Sequence, residues 1–140
     1  GALESTLEMS VQYSQERSQF GRSISKFQAI QHQLAVMAGE VAASTLAADC
    51  IKESFASLNE VDIAIGKART GEAVSVCTDL AHGIHGAMGY TLEHSLNHRT
   101  RRLWCWRDEY GAEKEWQLLI GQKFVAGGAD NLWATITDQS

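Results

Sequence analysis

The chain has 140 residues, a formal charge of -5 and three cysteines, which is room for one domain with a core but not comfortably for two. An acidic surface repels polyanions, so a general nucleic-acid binder is disfavoured; no apolar run reads as a membrane span and no signal segment opens the chain. Proline is absent, which favours long helices joined by glycine or polar turns, and the composition predicts an all-α fold.

The first periodic segment, Leu3, Leu7 and Val11 with Met9 and Tyr13, predicts a helix over residues 2 to 19 that stops at Phe20 and Gly21. The strongest pattern follows. Phe27, Ile30, Leu34, Met37, Val41, Ser44, Ala48, Ile51 and Phe55 alternate steps of three and four, which is the seam of a left-handed bundle, and predict a helix over 26 to 57. Val74, Cys77, Ala81, Ile84 and Met88 repeat those steps and place a third helix at 61 to 88, where Ala64, Ala68, Gly71 and Ala73 permit close helix approach. After Gly89 comes a turn, then a short basic helix from Leu96 to Tyr110 that Gly111 interrupts. Trp116, Ile120 and Phe124 open a last helix, 112 to 138, with a kink expected at Gly127 and Gly128. The sum is an antiparallel four-helix bundle with an extra short helix, as one domain over 1 to 140. The chain begins Gly1-Ala2-Leu3-Glu4-Ser5, already in helical pattern and without methionine, as a fragment of a longer protein would.

Three stretches together resemble the C-terminal domain of the acyl-CoA dehydrogenase family. Residues 13 to 21 read Tyr-Ser-Gln-Glu-Arg-Ser-Gln-Phe-Gly, similar to the family's Tyr-x-x-x-Arg-x-x-Phe-Gly turn. Residues 27 to 31, Phe-Gln-Ala-Ile-Gln, are like its Phe-Gln-x-x-Gln helix start, and residues 84 to 91, Ile-His-Gly-Ala-Met-Gly-Tyr-Thr, like its Gly-Gly-x-Gly-Tyr segment. Any one is weak, but their order and separation match across nearly the whole chain.

The resemblance implies an FAD-dependent acyl-CoA dehydrogenase that desaturates an acyl-CoA thioester between its α and β carbons, of which this chain is the C-terminal part. It assigns Arg17 and Phe20 to the FAD of a neighbouring subunit, the guanidinium as a planar fork for pyrophosphate and the ring as a face for adenine. Taken alone, the same two residues would read as a solvated cation and a core staple. Gln28 matches the family position that hydrogen-bonds FAD; Gln31, one turn on, reads equally as an exposed helix residue. Gly86 and Gly89 would let backbone approach the cofactor. The sequence departs from the family at Gly83, where glutamine is common, and at Ala87, where glycine is.

In many members the base that takes the α-proton is the glutamate of a Glu-Gly-Thr string. Here the matching region runs Arg107-Asp108-Glu109-Tyr110-Gly111-Ala112, so counting back from Gly111 puts Tyr110 at the glutamate position. Glu109 is a candidate one residue out of register, turned by about 100° on a helix, and the better reading pairs Asp108 and Glu109 in solvent with Arg101, Arg102 and Arg107. The catalytic base is therefore not assigned. A non-catalytic subunit completing a partner's FAD site, and a cofactor-free helical assembly module, are the alternatives.

Partners implied are an acyl-CoA, further copies in a dimer or tetramer or a related subunit, and an electron-transfer flavoprotein. His82 with His85 and His94 with His98 have metal-compatible spacing, but no Glu is followed by His three residues on, so core or interface histidines are preferred and no metal is expected. The run from His98 to Arg107 interleaves arginines with Trp104 and Trp106, which suits a subunit contact better than a nucleic-acid platform. Cys50, Cys77 and Cys105, odd in number and widely spaced, read as reduced thiols of a cytoplasmic protein. Which acyl group is processed is not legible, because the pocket walls in this family come from other domains.

Overall fold

A computed structural model of the chain describes residues 1–53 and 60–137. Helix α1 spans Ala2–Glu16, α2 Gln28–Glu53, α3 Glu60–His85, α4 Ser95–Asp108, α5 Glu113–Gly127 and α6 Leu132–Thr137. Consecutive long helices run antiparallel, as the cross-links show: Thr45 near the end of α2 bonds Glu4 at the start of α1, and Arg69 early in α3 pairs with Glu40 in mid α2. The expected all-helical bundle is what forms.

The spacing of apolar residues decides which faces are inward. Met37 and Val41 of α2, Cys77, Ala81 and Ile84 of α3, Ile24 and Leu96 make one buried cluster, with Leu3, Leu7, Tyr13, Phe27, Ile30 and Leu34 packed on it. Met88 of the third stripe lies outside it, 54% exposed, because α3 ends at His85 and the chain tightens into a 3-10 turn over Gly86–Tyr90. The Phe55 end of the second stripe falls outside the described residues.

Helix α3 is the hub, packing against α1, α2, α4 and α5. Small side chains make this possible: a Cβ on Gly66 would sit 2.2 Å from Cδ1 of Ile51, closer than atoms can pack, so α2 and α3 touch through that glycine. Two assignments shift. The short basic helix α4 is a working layer, with Leu96, Thr100 and Leu103 buried at helical spacing against α1 and α3. Helix α5, expected as a main layer, buries no residue completely. The break at Gly128 is real, with φ 75° there separating α5 from α6.

Helix α2 also corrects the reading that no segment is apolar enough to span a membrane. By length and composition it passes that test, with a mean hydropathy of 1.5 over an 18-residue window that is only 17% buried. Its inner face packs on α1 and α3, while Ala35, Val36, Gly39, Ala42, Ala43 and Leu46 line an exposed, uncharged outer face.

Candidate functional site

The end of α1 does not run on to residue 19. It stops at Glu16, Arg17 turns extended, and Ser18–Gln19 pairs antiparallel with Arg22–Ser23 in a two-residue hairpin. The hairpin turns on Phe20 and Gly21, with φ 53° and 77°; two successive positive φ values are the geometry whose twist fits a tight hairpin. Glycine takes it freely, but for phenylalanine it is strained. The consequence is a ring held 91% exposed, seated edge-on to Phe27 at 6.2 Å.

Tyr13 and His85 bring this hairpin to the end of α3. Their rings stack at 4.4 Å and the Tyr13 hydroxyl donates to the His85 carbonyl at 3.4 Å. Between the ends of α1 and α3 lies a groove of about 560 Å³ lined by Tyr13, Arg17, Phe20, Phe27, His85 and Gly86 among others. Arg17 is exposed, and no ion pair to it is found among the described residues. Gly86 has φ 58° and open space where a Cβ would stand, so its backbone faces the groove uncovered.

The other residues singled out in the sequence divide. Gln28 is exposed at the first position of α2, next to Phe27 and outside the groove lining. Gln31 donates from Nε2 to the Ser25 carbonyl at 3.0 Å, a local brace. Gly89 turns inward: a Cβ there would meet His85 Cβ and Leu96 Cδ2 at 3.0 Å and His82 Nδ1 at 3.1 Å, so its missing side chain serves packing.

His82 and His85, both nearly inaccessible, are core residues. His82 Nε2 meets the Thr100 hydroxyl at 3.0 Å and its ring stacks on Tyr90 at 4.2 Å. His85 Nδ1 bonds the Ala81 carbonyl at 2.8 Å, so that nitrogen carries the proton and Nε2 is left as a bare acceptor. Burial pushes both imidazoles below the usual histidine range. Among the described residues no group of three or more potential metal ligands converges.

Glu109 stands at the opposite end of the bundle. Lys67 caps α4 there, donating to the Glu109 carbonyl at 2.7 Å; Lys67 and His85 are separated along α3 by roughly 27 Å at 1.5 Å per residue. The Glu109 carboxylate is exposed and, among the described residues, accepts only a weak bond from Cys105 Sγ at 3.7 Å. Arg107, expected to answer Asp108 and Glu109, instead grips Glu113 through Nε at 2.9 Å and through Nη2. That bond holds the Glu113 carboxyl below the usual carboxylate range. What sequence reasoning missed is the contact between Tyr13 and His85, which has no local signal because 72 positions separate them.

The comparisons with known proteins converge. Residues 1–121 match the family described as acyl-CoA dehydrogenase, C-terminal domain. Glutaryl-CoA dehydrogenase of Desulfococcus multivorans is 39% identical over 99 residues, covering 69% of this chain and 25% of that protein. Acyl-CoA dehydrogenase IpdE2 of Mycolicibacterium smegmatis is 35% identical over 96 residues, covering 69% and 30%. Among solved structures, a glutaryl-coenzyme A dehydrogenase in complex with glutaryl-CoA superposes with a TM-score of 0.82 at 32% identity, over 89% of this chain and 32% of that one. Butyryl-CoA dehydrogenase from Megasphaera elsdenii gives 0.81 at 25% identity, over 89% and 33%. The chain thus spans about a quarter to a third of the relatives it matches.

Proposed function

Because the chain belongs to the acyl-CoA dehydrogenase family, as a C-terminal helical domain, we propose that it is part of an FAD-dependent enzyme that desaturates an acyl-CoA thioester. The observation that carries this is the groove at the hairpin. It offers a cation for which no ion pair is found among the described residues, an exposed aromatic face and an uncovered stretch of backbone within one concavity. Those are the contacts a dinucleotide presents partners for: Arg17 forks to a pyrophosphate, Phe20 lies against adenine, and Gly86 lets the chain come close. When bound, FAD supplies the hydride acceptor of the reaction. The groove is one wall only, so the cofactor is shared with another domain or subunit. The outer face of α2 supports the same point, since a charge-free stripe of alanine, glycine and leucine is suited to close packing against another helix.

Further copies or a related subunit, an electron-transfer flavoprotein as electron acceptor and a cytoplasmic setting complete the proposal; the odd number and wide spacing of the cysteines support the last. The test is to purify the parent protein. It should carry FAD, and the flavin absorbance should bleach when an acyl-CoA substrate is added anaerobically. A colourless protein with an empty nucleotide content would contradict the reading.

One observation favours a second reading, a subunit that completes a partner's FAD site without doing the chemistry. Tyr110 stands where the resemblance puts the base, and Glu109 points its carboxylate at solvent. On that reading bleaching appears only after co-expression with a subunit bearing the carboxylate.

A further inference from the structure

The hairpin at the groove carries a second arginine, Arg22. Gln19 and Arg22 are cross-strand partners, and partners leave a hairpin on the same face. Gln19 lines the groove, so Arg22 rises on the groove side of the turn. Its guanidinium lies over the ring of Phe27, 4.2 Å from the centroid. Among the described residues no hydrogen bond or ion pair to that guanidinium is found, although the side chain is exposed and charged. Phe27 in turn stands nearly perpendicular to Phe20, with the ring centroids 6.2 Å apart. The three side chains form a ladder of cation, ring and ring, and both rings line the groove.

The ladder matters because burial fixes neither ring. Phe20 is almost wholly exposed on left-handed backbone. Phe27 is half-buried, at the extended residue that joins the 3-10 turn Ile24–Lys26 to α2. A ring so placed turns about its side-chain torsions unless a neighbour holds it. A guanidinium does this well, because it is planar, stacks flat on an aromatic face and is drawn to it electrostatically.

We propose that Arg22 is a positioning residue of the cofactor groove: it holds the Phe27 ring, and through it the Phe20 ring, in the orientation that receives the adenine of FAD. The proposal rests on the flavoprotein reading above. Arg17 stands in the groove lining and Arg22 does not, so the two cations divide the work. Arg17 meets phosphate, and Arg22 acts through Phe27.

The experiment uses the full-length protein stripped of flavin, with Arg22→Leu, Phe27→Leu and the double variant. It reads dissociation constants for FAD and for FMN, which lacks the adenylate half, beside the melting curve of the flavin-free protein. Arg22→Leu alters an exposed side chain, so the flavin-free variant should melt close to the parent. FAD should bind it about threefold to fivefold more weakly, the scale of an exposed cation–π contact, and FMN as the parent does. In the Phe27→Leu background the same substitution should change FAD affinity by less than about twofold, since the ring through which Arg22 acts is gone. An equal loss in both backgrounds would make Arg22 a direct cofactor contact and overturns the inference, as does parental FAD affinity in Arg22→Leu. So does an equal loss for FAD and FMN, the mark of a purely structural role. If the parent itself binds FAD no better than FMN, the groove receives no adenylate, and the reading beneath this inference fails first.

Discussion

The ring of Tyr13 lies 4.4 Å from that of His85, and its hydroxyl reaches the His85 carbonyl at 3.4 Å. This contact joins the last turn of α1 to the last turn of α3 and sets the width of the groove between them. Tyr13→Ala should therefore cost about 2 to 3 kcal/mol, toward the low end for a truncated aromatic because the ring is only half buried. Tyr13→Phe should cost about 0.5 kcal/mol, since a bond this long contributes little. Thermal melts of the two variants check the ratio; equal losses would mean that the stack carries nothing.

The buried histidines give the fold an acid limit. Burial lowers the pKa values of His82 and His85, so the folded state holds them neutral while the unfolded chain takes up protons below about pH 6.5. The sign is fixed: stability is unaffected above that pH and falls as pH drops through it, by at most about 1.4 kcal/mol per pH unit for each imidazole. His82→Gln, which can keep a hydrogen bond to Thr100, should flatten the fall between pH 6.5 and 5. A melting temperature independent of pH across that window in the parent protein would contradict the account.

Arg107 and Glu113 close the loop that links α4 to α5, a pair partly shielded from water with two nitrogens facing one carboxylate. Glu113→Gln should destabilise by about 1 kcal/mol, above the usual surface pair but discounted because Arg107 is a third exposed. The depressed Glu113 pKa places the loss on the acid side: the pair stabilises above the ordinary glutamate pKa and fades as pH falls below it. A melt at pH 7 and one at pH 3 should therefore differ less in the variant than in the parent.

Glu109→Gln should leave most activity in place. Its carboxylate is exposed and its structural bond is made by the backbone carbonyl, which the substitution does not touch. Single-turnover bleaching of the flavin by substrate measures this directly, and an unreactive variant that stays yellow would make Glu109 the base after all.

The long helices were legible because their apolar residues repeat at three and four, and a seam of that kind has no other folded use. The hairpin at residues 18–23 was not. A tight turn of its type is announced by Asn-Gly or Asp-Gly, and Phe20-Gly21 carries half of that signal, so it read as a helix stop. The weight given to α4 was too small because its arginines mask Leu96, Thr100 and Leu103, and Thr100 is buried only because its hydroxyl is engaged by Asn97 and His82. Arg17, Phe20 and Gly86 could be read from a family pattern, and they share one groove. Gly89 shares that pattern, but what it packs against comes from α3 and α4, which no local spacing foretells.

The central claim is that the groove at the end of α1 and α3 grips a dinucleotide, and FAD retention by Arg17→Ala tests it most directly. Flavin per protomer is counted from absorbance after gel filtration of the full-length protein, beside a melting curve of the protein stripped of nucleotide. Arg17 is exposed and no ion pair to it is found among the described residues, so the stripped protein should melt as the parent does, while a lost charge-assisted bond to phosphate, worth about 1.5 to 3 kcal/mol, should lower affinity at least tenfold and leave the protein depleted of FAD. Full flavin content in the variant, with affinity unchanged, would contradict the account.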